Sequence, residues 1–254
     1  MSKFSQRIRI VPSGYDDGWV LEIDGEVQSH VDLHDPSLIR FEYLRRIGNV
    51  LDSCWPEGKP IRLLHLGAGA LTLVRYGQAT RPGSHQTVIE LNPDLVRQVT
   101  SQLPLPKGTD LTVITGDARS QLSKLEHAYF DAIVVDIFTG KDSAAHLSDA
   151  DFYCETLQHL TSQGVVLVNI GDDDGLAFFD QQSHILDGAA VSAGLSGVWT
   201  LADASTLEQR LAGNAVLAAG PGLPTDDADV VALRRQLEAA GPYPARVLAP
   251  GDPV

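Results

Sequence analysis

Three carboxylates stand behind three apolar runs: Glu90 ends "QTVIE", Asp117 follows "DLTVIT" within "GDARS", and Asp136 ends "FDAIVVD". Upstream, "HLGAGALTL" (65–73) sets Gly67 and Gly69 one residue apart after a further apolar run. Such a glycine turn permits positive φ and close approach of a ligand to the backbone, and a helix behind it offers free N–H groups. Ala70, Leu71 and Thr72 follow where a full G-x-G-x-x-G would place a third glycine, so by itself the loop reads equally as a structural turn. Glu90 adds to it, because an acid about 20 positions after a glycine turn matches the vicinal diol of a ribose. Asp117, with Ala118 beside it, suits the exocyclic amine of adenine, and it suits a helix N-cap as well. Asp136, leaving an apolar strand, is placed as a general base or an anchor for a cationic substrate; a cap or turn residue is the competing reading. Asp172, Asp173 and Asp174 in "NIGDDDG" add charge, Asp172 and Asp173 being candidates for substrate amines, against the alternative of a solvated turn with a helix cap.

These residues converge only if the chain between them alternates strand and helix. From residue 61 it does: "IRLLHL", "QTVIEL", "DLTVIT", "FDAIVVDI" and "GVVLVNI" are each followed by a polar loop and a segment of helical periodicity. That alternation predicts an α/β fold, a Rossmann-like doubly wound and mostly parallel sheet covered by helices on both faces. Right-handed crossovers bring every parallel strand's carboxyl end to one edge, where ligands bind. "SGVWTLAD" and "GNAVLAAG" read as two more strands, and the tail as one helix with a proline-rich, poorly ordered end. Before this domain, "RIRIVP", "WVLEID" and "EVQSHVDL" alternate with period two between Gly and Asp turns, predicting an antiparallel β-meander over 1–34. Asp35 as cap, Pro36 in the first turn and an apolar stripe from Leu38 to Leu51 predict an entrance helix over 36–53, leading the domain 35–254.

Composition narrows the partners. The chain has 254 residues, 43% of them hydrophobic, and a formal net charge of −14. That charge repels polyanions and, with no basic patch, excludes nucleic acid as the expected partner while attracting small cations. Two cysteines without C-x-x-C spacing read as thiols in a reducing compartment. No stretch approaches the roughly 18 apolar residues of a membrane span, and the start has no apolar leader core, so no membrane partner and a cytoplasmic location are expected.

The order of these pieces resembles the polyamine aminopropyltransferases, of which spermidine synthase is the type. "DGEVQSHVDLHDPSLIRFEYLRRI" is similar to that family's entrance segment, with Gln28 and Tyr43 at matching positions; "LLHLGAGALTLVR", with Arg75, resembles the glycine motif. "VIELNP" resembles the acidic ribose motif, "GDAR" the adenine motif, and "YFDAIVVDIFTG" the segment with the catalytic aspartate. The resemblance implies a sheet of methyltransferase type and a donor, decarboxylated S-adenosylmethionine or S-adenosylmethionine itself, bound by Gly67, Gly69, Glu90, Asp117, Ala118 and Gln28. It also implies a diamine such as putrescine near Tyr43, Asp136 as the catalytic residue, no metal ion, and a homodimer. Departures fall on the amine-reading positions: Ala70 and Thr139 stand where the family has aspartates, Gly140 replaces a proline, and Leu44 a polar residue. Removing a carboxylate from a cation site weakens it strongly, so efficient transfer calls for the Asp172–Asp174 run or Asp142 to compensate. Two alternatives share the nucleoside motifs: methyl transfer from S-adenosylmethionine, with Ala70 leaving room for the donor's carboxylate, and a nucleoside-binding homologue without turnover. A nicotinamide-dependent oxidoreductase fits G-x-G and Glu90 but not "GDAR" or the β-segment.

Overall fold

The computed structural model describes residues 7–125, 129–137 and 145–252. Three short strands, β1 (Ile8–Pro12), β2 (Trp19–Ile23) and β3 (Glu26–Val31), form an antiparallel meander in that order. The Asp24-Gly25 turn joins β2 to β3, both residues having positive φ, as a tight hairpin requires.

The main sheet has eight strands. β4 (Arg62–Leu66), β5 (His85–Glu90) and β6 (Asp110–Thr115) run to one edge; β7 (Phe130–Val135) and β8 (Leu160–Asp172) lie on the other side of β4. All pairings among these five are parallel. β10 (Gly213–Ala219), β9 (Trp199–Asp203) and β11 (Ala245–Leu248) then extend the sheet antiparallel beyond β8. The chain reverses winding direction between β4 and β7, which makes a crevice beyond their carboxyl ends.

The inner strands are apolar on both faces, as a doubly covered parallel sheet requires. Leu64, Leu66, Ile133, Val135, Val166 and Val168 face one core, with Phe152 and Phe179 of α5 (Ala150–Gln158) and α6 (Ala177–Ser192). Their neighbours Leu63, Ala132, Val134, Val165 and Leu167 face the opposite core, shared with α1 (Glu42–Cys54) and α8 (Asp227–Ala240). A third core, including Leu21, Val31, Leu71, Val74 and Val99, joins the meander to α2 (Thr72–Thr80) and α3 (Pro93–Gln102).

Two expectations change. The helix expected over 36–53 begins at Glu42. Asp35 does not cap it: its Oδ1 accepts from the Ser37 amide and hydroxyl, closing a local turn. This side chain–backbone turn competes successfully with helix initiation and leaves residues 36–41 to bridge the meander and α1. The tail also differs, because residues 245–248 form the edge strand β11, paired with β9 through Ala245–Asp203 and Leu248–Thr200. Val247 and Leu248 bury themselves there, an apolar pair that gains more from the sheet than from solvent.

Cys54 and Cys154 are free thiols. Among the described residues no helix is long and apolar enough to cross a membrane.

Candidate active site

The cleft at the reversal of winding has a volume of about 1120 Å³, enough for a nucleoside and a second small molecule. Gly67 begins the loop after β4 at φ +95°, with its N–H bonded to Ile89 O, and Gly69 follows at φ +47°. Leu71, also at positive φ, turns the chain into α2, whose amino end carries no side-chain cap hydrogen bond. The loop is held from outside by the meander: Ser29 Oγ accepts from the Ala70 amide at 3.2 Å, and the Thr72 hydroxyl donates to His30 O at 3.0 Å.

Glu90 leaves β5 beside this loop. Its two oxygens accept from the Ala68 amide at 3.0 Å and the Asn92 amide at 2.7 Å, which fixes the carboxylate on the cleft wall. Burial raises its pKa, and the backbone donors oppose that shift. Asp117 stands at the end of β6 as N-cap of α4 (Ala118–Leu122), accepting from the Ser120 amide at 2.9 Å. Its other oxygen lies 2.7 Å from His146 Nε2. Although desolvation is the largest single influence and acts upward, the His146 and Ser120 bonds together leave its pKa lowered. Cap and cleft-wall residue are thus the same side chain, and Ala118 lines the cleft next to it.

Asp136 follows β7 on the cleft floor. Asn169 Nδ2 donates to its Oδ1 at 2.9 Å, and the Tyr43 hydroxyl donates to its Oδ2 at 3.4 Å. Burial raises its pKa, the two hydrogen bonds lowering it only in part. Burial and the Asp136 charge push the Tyr43 phenol upward, so it remains a donor. Gln28, Gly67 and Gly69 complete the set of expected residues that the fold brings to one cleft.

Asp172 and Asp173 are not among its lining residues. Val135 pairs with Val168, which sets Asp136 level with Asn169; Asp172 lies three residues, about 10 Å, further along β8. Its Oδ2 accepts from the Phe179 amide in the first turn of α6, and Asp174 accepts from the Ala212 amide. The first contact serves the amino end of α6, and the second ties the turn to the loop before β10. Thr139, Gly140 and Asp142 lie outside the described residues. Ala70 is buried in the core that joins the meander to α2 and α3 and is not among the residues lining the cleft. Arg75 is a tie between segments: its guanidinium donates to Leu103 O at 2.6 Å and Pro104 O at 2.8 Å. Burial lowers its pKa to about 10, which keeps it charged at neutral pH. Arg75→Met should cost about 2–4 kcal/mol by orphaning those carbonyls; an unchanged urea midpoint would show that they find other partners.

Sequence reasoning did not single out Ser29, Glu42, Asn169 and Asp203, all of which line the cleft. Asn169 had a signal, a lone amide in the apolar run "VVLVNI". Asp203 ends a strand as Asp136 does, but on the antiparallel side, where the carboxyl-edge rule gives no guidance. Among the described residues five carboxylates line the cleft (Glu42, Glu90, Asp117, Asp136, Asp203) and no Lys, Arg or His does. That wall stabilises a cation and repels an anion.

No family model matches the chain. A curated polyamine aminopropyltransferase of Chromobacterium violaceum is 25% identical over 167 residues, covering 65% of this chain and 63% of the relative. The chain thus spans less than two thirds of that relative's length. Among solved structures, a probable spermidine synthase from Corynebacterium glutamicum has a TM-score of 0.82 at 26% identity, covering 97% of this chain and 88% of that one. Human methyltransferase-like protein 13, solved with SAH, has a TM-score of 0.53 at 17% identity, covering 78% of this chain and 88% of its own, a likeness of fold.

Proposed function

We propose that this chain, a homologue of curated polyamine aminopropyltransferases with the fold of the spermidine synthases, transfers an aminopropyl group from decarboxylated S-adenosylmethionine to a diamine such as putrescine. The anionic wall carries this reading: donor and acceptor are both cations, whereas S-adenosylmethionine itself would add a carboxylate to a cleft without a basic side chain among its described lining residues.

In this reading the adenosyl group lies on the Gly67–Gly69 loop, with the ribose diol on Glu90 and the adenine amine near Asp117. The reaction is an in-line displacement. The acceptor nitrogen's lone pair forms a bond to the donor methylene, the carbon–sulfur bond breaks, and its electron pair leaves with neutral methylthioadenosine. The nitrogen's surplus proton passes to Asp136 Oδ2. A raised pKa suits that step, since a carboxylate of low basicity accepts protons poorly.

Incubation with decarboxylated S-adenosylmethionine and a panel of diamines should release methylthioadenosine. Tight nucleoside binding without release for any amine would overturn transfer, and a calorimetric preference for S-adenosylmethionine would favour methylation instead. Glu90→Gln should weaken methylthioadenosine binding by about 10- to 100-fold, the effect of a lost charge-assisted hydrogen bond. Unchanged affinity in titration calorimetry would remove Glu90 from the ribose site.

A further inference from the structure

The two oxygens of Asp117 serve different ends. Oδ1 accepts from the Ser120 amide, the cap that an aspartate at a helix start ordinarily makes. Oδ2 instead meets His146 Nε2 at 2.7 Å, a partner 29 residues further on, in a single 3₁₀ turn (Ala145–Leu147) before α5. The pair joins two segments that each give the cleft a lining residue, Asp117 and Leu147. Its geometry is fixed at the main chain as well. Arg119 Nη1, from α4, donates to His146 O at 3.0 Å and to Asp149 Oδ2 at 2.9 Å, and Asp149 caps α5 through the Phe152 amide at 2.8 Å.

An ion pair whose members are 50% and 28% exposed contributes little to stability. Its consequence lies in what it does to Asp117, which keeps open surface and lines the cleft. Desolvation pushes the Asp117 pKa upward, yet the His146 bond, foremost among the opposing contacts, leaves it lowered. The side chain is therefore an anion at neutral pH, and an anionic carboxylate only accepts. Nε2 must then carry the shared hydrogen. A carboxylate offers about four acceptor positions, so Ser120 and His146 leave capacity for a further N–H. A base without an amine gains nothing from it.

We propose that His146 is a positioning and specificity-determining residue for the nucleobase: by donating to Asp117 Oδ2 it holds the carboxylate in one orientation, in which it accepts from a base bearing an exocyclic amine. This rests on the reading that places adenine at Asp117. His146 acts through Asp117 and touches no substrate itself. The coupling runs both ways, since an amine that engages the held carboxylate also stabilises the docked turn.

The test is titration calorimetry with methylthioadenosine and with its deamino analogue, the methylthio derivative of purine riboside, which keeps sugar and ring but has no amine. The unaltered protein should bind methylthioadenosine about tenfold more tightly than the analogue, the effect of a charge-assisted hydrogen bond. His146→Ala should lose about three- to tenfold in methylthioadenosine affinity and less than about twofold for the analogue, a difference that measures the coupling of His146 to the amine. His146→Gln, whose amide can supply the same N–H, should recover most of that loss. Equal losses for the two nucleosides would overturn the proposal, because a change of fold alone weakens both, and so would no loss for either. An analogue bound by the unaltered protein as tightly as methylthioadenosine would overturn Asp117 as reader of the amine, and the proposal with it, while leaving aminopropyl transfer standing. Amine selectivity that depends on His146, with no methylthioadenosine released from decarboxylated S-adenosylmethionine, would support the proposal and overturn transfer.

Discussion

Asp136→Asn is expected to lower methylthioadenosine release by about 10²–10⁴-fold, the range for removing a positioned general base, while making the protein more stable at neutral pH. The two effects have one cause. Burial raises the Asp136 pKa above that of the unfolded chain, only partly opposed by Asn169 and Tyr43. Between the unfolded and folded values the native state holds a proton that the unfolded state has released, so stability falls as pH rises through that window and stays lowered above it. An amide at this position carries no such penalty. The variant's stability advantage should therefore be present at pH 7 and vanish below the ordinary Asp value of about 3.9, where both forms are neutral. For the active protein the same shift predicts that kcat/KM against pH has an acidic limb whose midpoint lies above the usual carboxylate range. Thermal denaturation at pH 7 and pH 3.5 measures the first effect, and a pH–rate profile the second. A variant less stable than the parent at both pH values would show that Asp136 serves the fold, and undiminished release would remove it from catalysis.

The distinction between Asp136 and the Asp172–Asp174 run shows what the sequence makes legible. Strand runs such as "FDAIVVD" and "QTVIE" carry their own periodicity, and the parallel-sheet rule turns their ends into one edge, so Gly67, Glu90, Asp117 and Asp136 can be brought together without coordinates. Register is a different matter. β8 runs 13 residues, beyond the level of its neighbour β7, so its terminal acids pass the cleft and Asn169 is the residue beside Asp136. No local pattern encodes that offset, because it depends on where β7 and β8 pair. The start of α1 was hidden for another reason: Asp35 and Pro36 satisfy the rules for a helix start, yet the Asp35 side chain closes its own turn first. The role of Ser29 depends on the docking of one sheet against a loop 41 residues later, which neither segment announces alone.

Gly67→Ala should have the second large effect, and Gly69→Ala supplies its comparison. A Cβ on Gly67 would lie 2.4 Å from Asp136 O, a backbone atom fixed because the Asp136 amide is bonded to Leu66 O at 2.9 Å. Residue 67 also sits at φ +95°, where an L side chain is strained whatever the space. Neither neighbour can yield without moving the β4 loop from β7, which separates the glycine loop from Asp136. Strain and overpacking together should cost about 2–5 kcal/mol, a fall of roughly 5–15 °C in thermal midpoint for a chain of this size. Gly69 differs in both respects. Its φ of +47° lies near the left-handed region that side chains tolerate, and its Cβ would meet the Ser29 hydroxyl at 2.8 Å, a group that can rotate away. Gly69→Ala should therefore cost about 1 kcal/mol. It should loosen the meander through the Ser29–Ala70 bond rather than part β4 from β7. Scanning calorimetry of the two variants decides the matter: equal losses would mean that Gly67 contributes only backbone freedom. A large loss confined to Gly67→Ala would identify the close approach of the glycine loop to Asp136 O as what holds the two carboxyl-end loops of β4 and β7 together.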